Sequence, residues 1–100
     1  MKRESDLEDF LERRAAEMGG VAVKVTCPGK PGFPDRLVLL PGGRWGLIET
    51  KRRGQALRPL QAWWRRRLQS MGVTCEMADS EAAVDSLLNA IAGLRSPGRL

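Results

Sequence analysis

The tripeptide Pro41-Gly42-Gly43 lies between two runs that read as strands, 35–40 and 44–51. A proline followed by two glycines reverses the chain within a few residues, so the two runs form a hairpin. A turn centred on residue 42 also sets the register, with residue 35 facing residue 49 across the ladder. Side chains alternate across a strand, which puts Trp45, Leu47, Glu49 and Lys51 on one face. Glu49 and Lys51 are then about 7 Å apart along the strand. Asp35 starts the partner strand and converges with them at the open end of the hairpin.

Other elements follow from periodicity. Leu7, Phe10, Leu11, Ala15 and Met18 fall at helical spacing over residues 5–18, and Gly19-Gly20 supplies the stop. Residues 21–26 alternate as a strand, and the three prolines of 28–34 impose a loop. Pro59 suits the first position of a helix over 59–71, with Leu60, Trp64, Leu68 and Met71 as its apolar stripe. A short strand spans 73–77. Ser80 caps a last helix that turns Val84, Leu87, Leu88 and Ile91 inward. The order αβββαβα, with a parallel crossover after the hairpin, is an α/β fold: a mixed sheet flanked by helices. One hundred residues make one domain, 1–95, and residues 96–100 read as a flexible C-terminal tail.

Charge narrows the partners. The net charge is +5, but between Glu17 and Glu76 eleven Lys or Arg face only two acids, Asp35 and Glu49. A basic field around two isolated carboxylates points to a polyanion held near a metal site. The chain has no histidine and no tyrosine. Imidazole general bases, His-ligated zinc and tyrosine nucleophiles are thereby excluded, which leaves carboxylates with a metal as the coherent chemistry. No apolar run approaches the roughly 20 residues of a membrane span, and the N-terminus reads as an amphipathic helix, so a cytoplasmic protein is expected. Cys27 and Cys75 lack metal-ligand spacing and read as free thiols.

Mg²⁺ or Mn²⁺ takes hard oxygen ligands and keeps several waters, so two carboxylates suffice when a phosphate supplies another oxygen. Lys51 beside them can orient the attacking water or balance charge on the phosphate. Each piece also has a plainer reading. Asp35 after Pro34 suits a turn, and Glu49 with Lys51 suits the solvent face of an edge strand.

In combination, Gly32-Phe33-Pro34-Asp35-Arg36-Leu37-Val38-Leu39, Pro41-Gly42-Gly43, Ile48-Glu49-Thr50-Lys51 and Leu60-Gln61 resemble the VRR-NUC family. This is a branch of the PD-(D/E)xK nuclease superfamily with the restriction-endonuclease-like fold. The resemblance runs from about Glu4 to about Leu88. It implies metal-dependent hydrolysis of DNA by a phage- or bacterial-type homodimer, selective for branched substrates such as four-way junctions or flaps. It assigns Asp35 and Glu49 to the metal, the Thr50 carbonyl as a further ligand, Lys51 as the lysine, and Gln61 as a supporting residue. A first-helix glutamate is also implied. Glu8 is the best match and Glu4, one turn earlier, is the second, although Ser5-Asp6-Leu7-Glu8 fits a capping box as well. Lys30, Arg36, Arg52, Arg53, Arg65 and Arg66 are the candidate DNA contacts. Trp63 suits a dimer surface or stacking on an unpaired base. The rival readings are a non-catalytic DNA-binding module of the same fold and a nuclease subunit that needs a partner.

Overall fold

The computed structural model describes residues 3–94; the expected tail at 96–100 lies outside them. The chain runs α1 (Glu4–Glu17), β1 (Val21–Lys24), β2 (Arg36–Leu40), β3 (Arg44–Thr50), α2 (Pro59–Ser70), β4 (Cys75–Ala78) and α3 (Glu81–Ile91), the order read from sequence. The strands form one sheet in the order β1-β2-β3-β4. The β1–β2 and β2–β3 pairs are antiparallel, and β3–β4 is the parallel pair made by the α2 crossover.

Alternation divides the sheet's side chains between two layers. On one face, Ala22, Val38, Leu40 and Ile48 pack with Leu7, Leu11 and Ala15 of α1 and Val84, Leu88 and Ile91 of α3. Gly46 belongs to this face, where a Cβ would come within 2.8 Å of the Ile91 side chain. On the other face, Leu47 and Cys75 pack with Leu68 of α2, joined by Phe33, Leu37, Trp64 and Val73. Cys27 and Cys75 are both free thiols, as expected.

Three local expectations change. The amphipathic stripe of α2 is rotated: Leu60 and Met71 are more than half exposed, whereas Gln61 and Leu68 are buried. At α1, the Arg3 N–H donates to the Asp6 carboxylate at 3.1 Å, so Asp6 rather than Glu8 closes the helix start. β1 ends at Lys24, although the Val25 N–H still donates to the Asp35 carbonyl at 2.8 Å. Ser80 caps α3 as expected, its hydroxyl accepting from the Ala83 N–H.

Candidate active site

The hairpin register is the one the turn predicts. Arg36 pairs with Ile48 and Leu37 with Leu47, and the ladder ends there, one residue short of Asp35 and Glu49. The Asp35 carbonyl bonds toward β1, while the Leu47 and Lys51 N–H groups bond toward β4. Asp35 lies just beyond the ladder, near enough for its charge to act on the Glu49 carboxyl. Lys51 follows directly after the last residue of β3, and its charge also acts on Glu49.

Each residue has a local support. Gly32, at φ +83°, lies so close to α2 that a Cβ would meet Leu60 at 2.7 Å, so only glycine lets the loop before Asp35 seat there. Trp64 fixes the same loop: its indole N–H donates to the Pro31 carbonyl at 3.0 Å, and its ring packs edge-on against Phe33. Gln61 links α2 to the site. Its Oε1 accepts from the Arg58 N–H at 2.8 Å and its Nε2 donates to Glu49 Oε2 at 3.3 Å. The rotation of α2 follows from this, because the buried amide is satisfied only when that helix face looks at Glu49.

The electrostatics are those of crowded negative charge. Burial, followed by the Asp35 carboxylate, pushes the Glu49 carboxyl up to about 7; Glu4 adds to the rise, while Lys51 and Arg58 oppose it. Lys51 is only 5% exposed. It lines a cavity of about 400 Å³ with Arg3, Leu7, Arg53 and the start of α3, on the side of the sheet covered by α1 and α3. Its charge nevertheless acts on Glu49, opposing the rise of that carboxyl.

The two first-helix acids that the resemblance offered differ in their surroundings. Glu8 Oε1 pairs with Arg36 at 3.1 Å, and Glu8 Oε2 accepts from the Thr50 hydroxyl at 3.3 Å. Both oxygens are thus engaged on the α1 side of the sheet, opposite the face that carries Glu49. Glu4 is the helix acid whose charge reaches Glu49. Arg36 is a second correction. It is 7% exposed and bound to Glu8 and to Glu12 (2.7 Å), and its Nε is buried with no hydrogen-bond partner among the described residues, so it is not available to DNA. Arg65 makes two hydrogen bonds to Glu76. Lys30, Arg52, Arg53 and Arg66 are exposed. Sequence reasoning did not single out Arg58, whose position three residues before Gln61 was the available signal.

A divalent ion would meet hard oxygen donors. Among the described residues, no group of three or more acidic, His or Cys side chains is placed to hold a metal. Asp35 and Glu49 are the two acids whose charges meet here. A partial set of this kind suits Mg²⁺ or Mn²⁺, which retain waters and accept a substrate oxygen.

A mixed sheet whose central hairpin carries two acids near its open end, with a lysine two residues beyond the second, defines the PD-(D/E)xK class of folds. Within that class, the chain belongs to the VRR-NUC family. A solved structure described as a VRR_NUC domain matches with a TM-score of 0.81 at 27% identity, covering 89% of this chain and 97% of that one. The chain is also 36% identical over 89 residues to "Putative nuclease p44" of Acyrthosiphon pisum secondary endosymbiont phage 1, covering 89% of this chain and 95% of that protein. No family model matches the chain. Among the described residues, no helix is long and apolar enough to cross a membrane.

Proposed function

We propose that this protein is a divalent-metal-dependent DNA endonuclease acting on branched DNA. The observation that carries the reading is the proximity of Asp35 and of the nearly buried Lys51 to Glu49, whose carboxyl feels both charges. Hydrolysis joins a water oxygen to phosphorus and breaks one P–O ester bond. When bound, Mg²⁺ or Mn²⁺ offsets phosphate charge and acidifies water. Asp35, Glu49 and the Thr50 carbonyl would hold it, and Gln61 fixes the Glu49 carboxylate for that task. Lys51 orients the attacking water or meets negative charge developing on the phosphate. The exposed Lys30, Arg52, Arg53 and Arg66 supply phosphate contacts along the strand. The test is cleavage of a labelled four-way junction and its linear duplex with Mg²⁺. Wild type is expected to cut the junction, and Asp35→Ala to lose at least a hundredfold in rate. Equal cutting by the two proteins would refute the site, and equal cutting of the two substrates would refute the preference for branches.

The protein also works as a homodimer in this reading, and one surface supports it. α2 covers only the β3–β4 half of its face of the sheet. On the other half, Val21, Val23, Leu39 and Trp45 are each 41–49% exposed. They form contiguous rows through the pairs Val21–Leu39 and Leu39–Trp45. Residues 21, 23, 25, 37, 39 and 45 on this face include no charged side chain. A chain of net charge +5 repels its own copies over most of its surface. An uncharged sheet face is where two copies can meet, as the apolar core of an interface that in a standard case buries about 800 Å² per partner. Light scattering at micromolar concentration is expected to give twice the chain mass for wild type and the single mass for Leu39→Lys. A monomeric wild type would remove the dimer.

A further inference from the structure

Trp63 lies outside both apolar clusters of the core, and its indole is 47% exposed. Its ring is nevertheless braced. It stands at 86° to the Trp64 ring, with centroids 4.9 Å apart, and Trp64 is itself tied to the Pro31 carbonyl and to Phe33. A perpendicular neighbour covers at most one face of an indole, so Trp64 leaves a flat apolar surface uncovered. Beside that ring is a cavity of about 380 Å³ lined by Gly29, Lys30, Pro31, Leu60, Trp63 and Trp64. A second cavity, of about 440 Å³, shares Pro31 and Leu60 with the first and reaches Arg58 and Gln61. Gln61 is the residue that donates to Glu49. The two cavities thus make one run along the start of α2, from the carboxylate of the candidate site to the Trp63 ring.

Charge identifies the occupant of that run. Lys30, Arg58, Arg66 and Arg67 are exposed, and the last two are the i+3 and i+4 helix neighbours of Trp63. Residues 18–34 and 50–75 contain no acid. A flat apolar ring set among cations suits a polyanion that carries flat groups of its own, which is a nucleic acid strand. We propose that Trp63 is a stacking platform for an unpaired base of the DNA, with Lys30 and Arg58 holding the phosphates between that base and the cut. The inference rests on the DNA-cleaving reading above and gives its preference for branches a physical source. Bases in a linear duplex are already paired and stacked, so delivering one to Trp63 costs free energy. A flap or branch presents a base that is already released.

The experiment compares binding to three labelled DNAs by fluorescence anisotropy in EDTA, where nothing is cut. They are a fork with single-stranded thymine flaps, the same fork with abasic sugars in the flaps, and a linear duplex. The two forks carry equal charge and differ only in the bases. Wild type is expected to hold the thymine fork about tenfold more tightly than the abasic fork. Trp63→Leu should bind both forks at the wild-type level for the abasic one, and Trp63→Phe, which keeps a ring, should stay within about threefold of wild type on thymine. Duplex binding should change by less than about twofold in either variant, because the cations remain. A wild type that binds the two forks equally overturns the proposal, and so does a Trp63→Leu protein that keeps the preference. A Trp63→Leu protein that loses the duplex as well, or that is a monomer by light scattering where wild type is a dimer, also overturns it. Cleavage in Mg²⁺ is read separately. A protein that shows the thymine preference and cuts neither fork supports the platform and refutes the nuclease; one that cuts both forks without the preference does the reverse.

Discussion

Glu49→Gln is expected to make the metal-free protein more stable at pH 8, by on the order of 2 kcal/mol, while abolishing metal-dependent cleavage. Burial and the Asp35 charge push the Glu49 carboxyl up to about 7 in the fold. In the unfolded chain it titrates near the ordinary glutamate value of about 4.3. Between those two values the folded state holds a proton that the unfolded state has released. The metal-free wild type therefore loses stability as pH rises through that window and stays at the lower level above it. Glutamine resembles the protonated acid and has no charge to desolvate. It also still offers an oxygen to the Gln61 Nε2, now 3.3 Å from Glu49 Oε2. Denaturant melts in EDTA should show the two proteins converging near pH 4.5 and separating toward pH 8. In Mg²⁺ the variant should cut at least about a thousandfold more slowly, several kcal/mol of transition-state stabilisation being lost. A Glu49→Gln protein less stable than wild type at pH 8 would show that the carboxylate is well solvated and that crowding with Asp35 is not its main feature.

That trade of stability for function was legible in part. The register from Leu40–Arg44 to Arg36–Ile48 could be read because Pro41-Gly42-Gly43 fixes the hairpin, and the turn decides the pairings that follow it. The face of Glu49 followed from alternation, but Lys51, one residue past β3, lines a cavity on the side covered by α1 and α3. The orientation of α2 could not be read the same way. Hydrophobic spacing favours Leu60 and Met71 as inward residues, yet the fold buries Gln61 instead. The need that turns the helix is a hydrogen bond to a carboxylate twelve residues away, and no pattern of apolarity encodes it. Arg36 failed for a related reason. In its local sequence it is one more cation in a basic stretch, and its partners Glu8 and Glu12 lie on a helix separated from it by a strand and a loop. Glu8, whose spacing matches the family glutamate, has its oxygens engaged by Arg36 and the Thr50 hydroxyl, contacts that no local pattern encodes. Glu4 occupies the helix end nearer to Glu49, where its charge still reaches that carboxyl.

Lys51→Met should separate metal binding from catalysis. Lys51 is 5% exposed and its charge acts on Glu49, so the interaction runs through a poorly solvated space. Methionine matches the length of the stem and needs no hydrogen bond, so the fold should stand. Lys51 opposes the rise in the Glu49 pKa, and its removal lets that carboxyl climb further. The variant should therefore bind Mn²⁺ more weakly than wild type at pH 7 and recover to within a few-fold at pH 8.5, where Glu49 is ionised in both proteins. Cleavage should not recover. With the water or phosphate unattended, the rate should remain about 10²–10⁴-fold down across that pH range. A variant whose cleavage returned with its metal affinity would reduce Lys51 to a counter-charge for Glu49. A variant that bound no Mn²⁺ at pH 8.5 would instead make the ammonium part of what holds the two acids together.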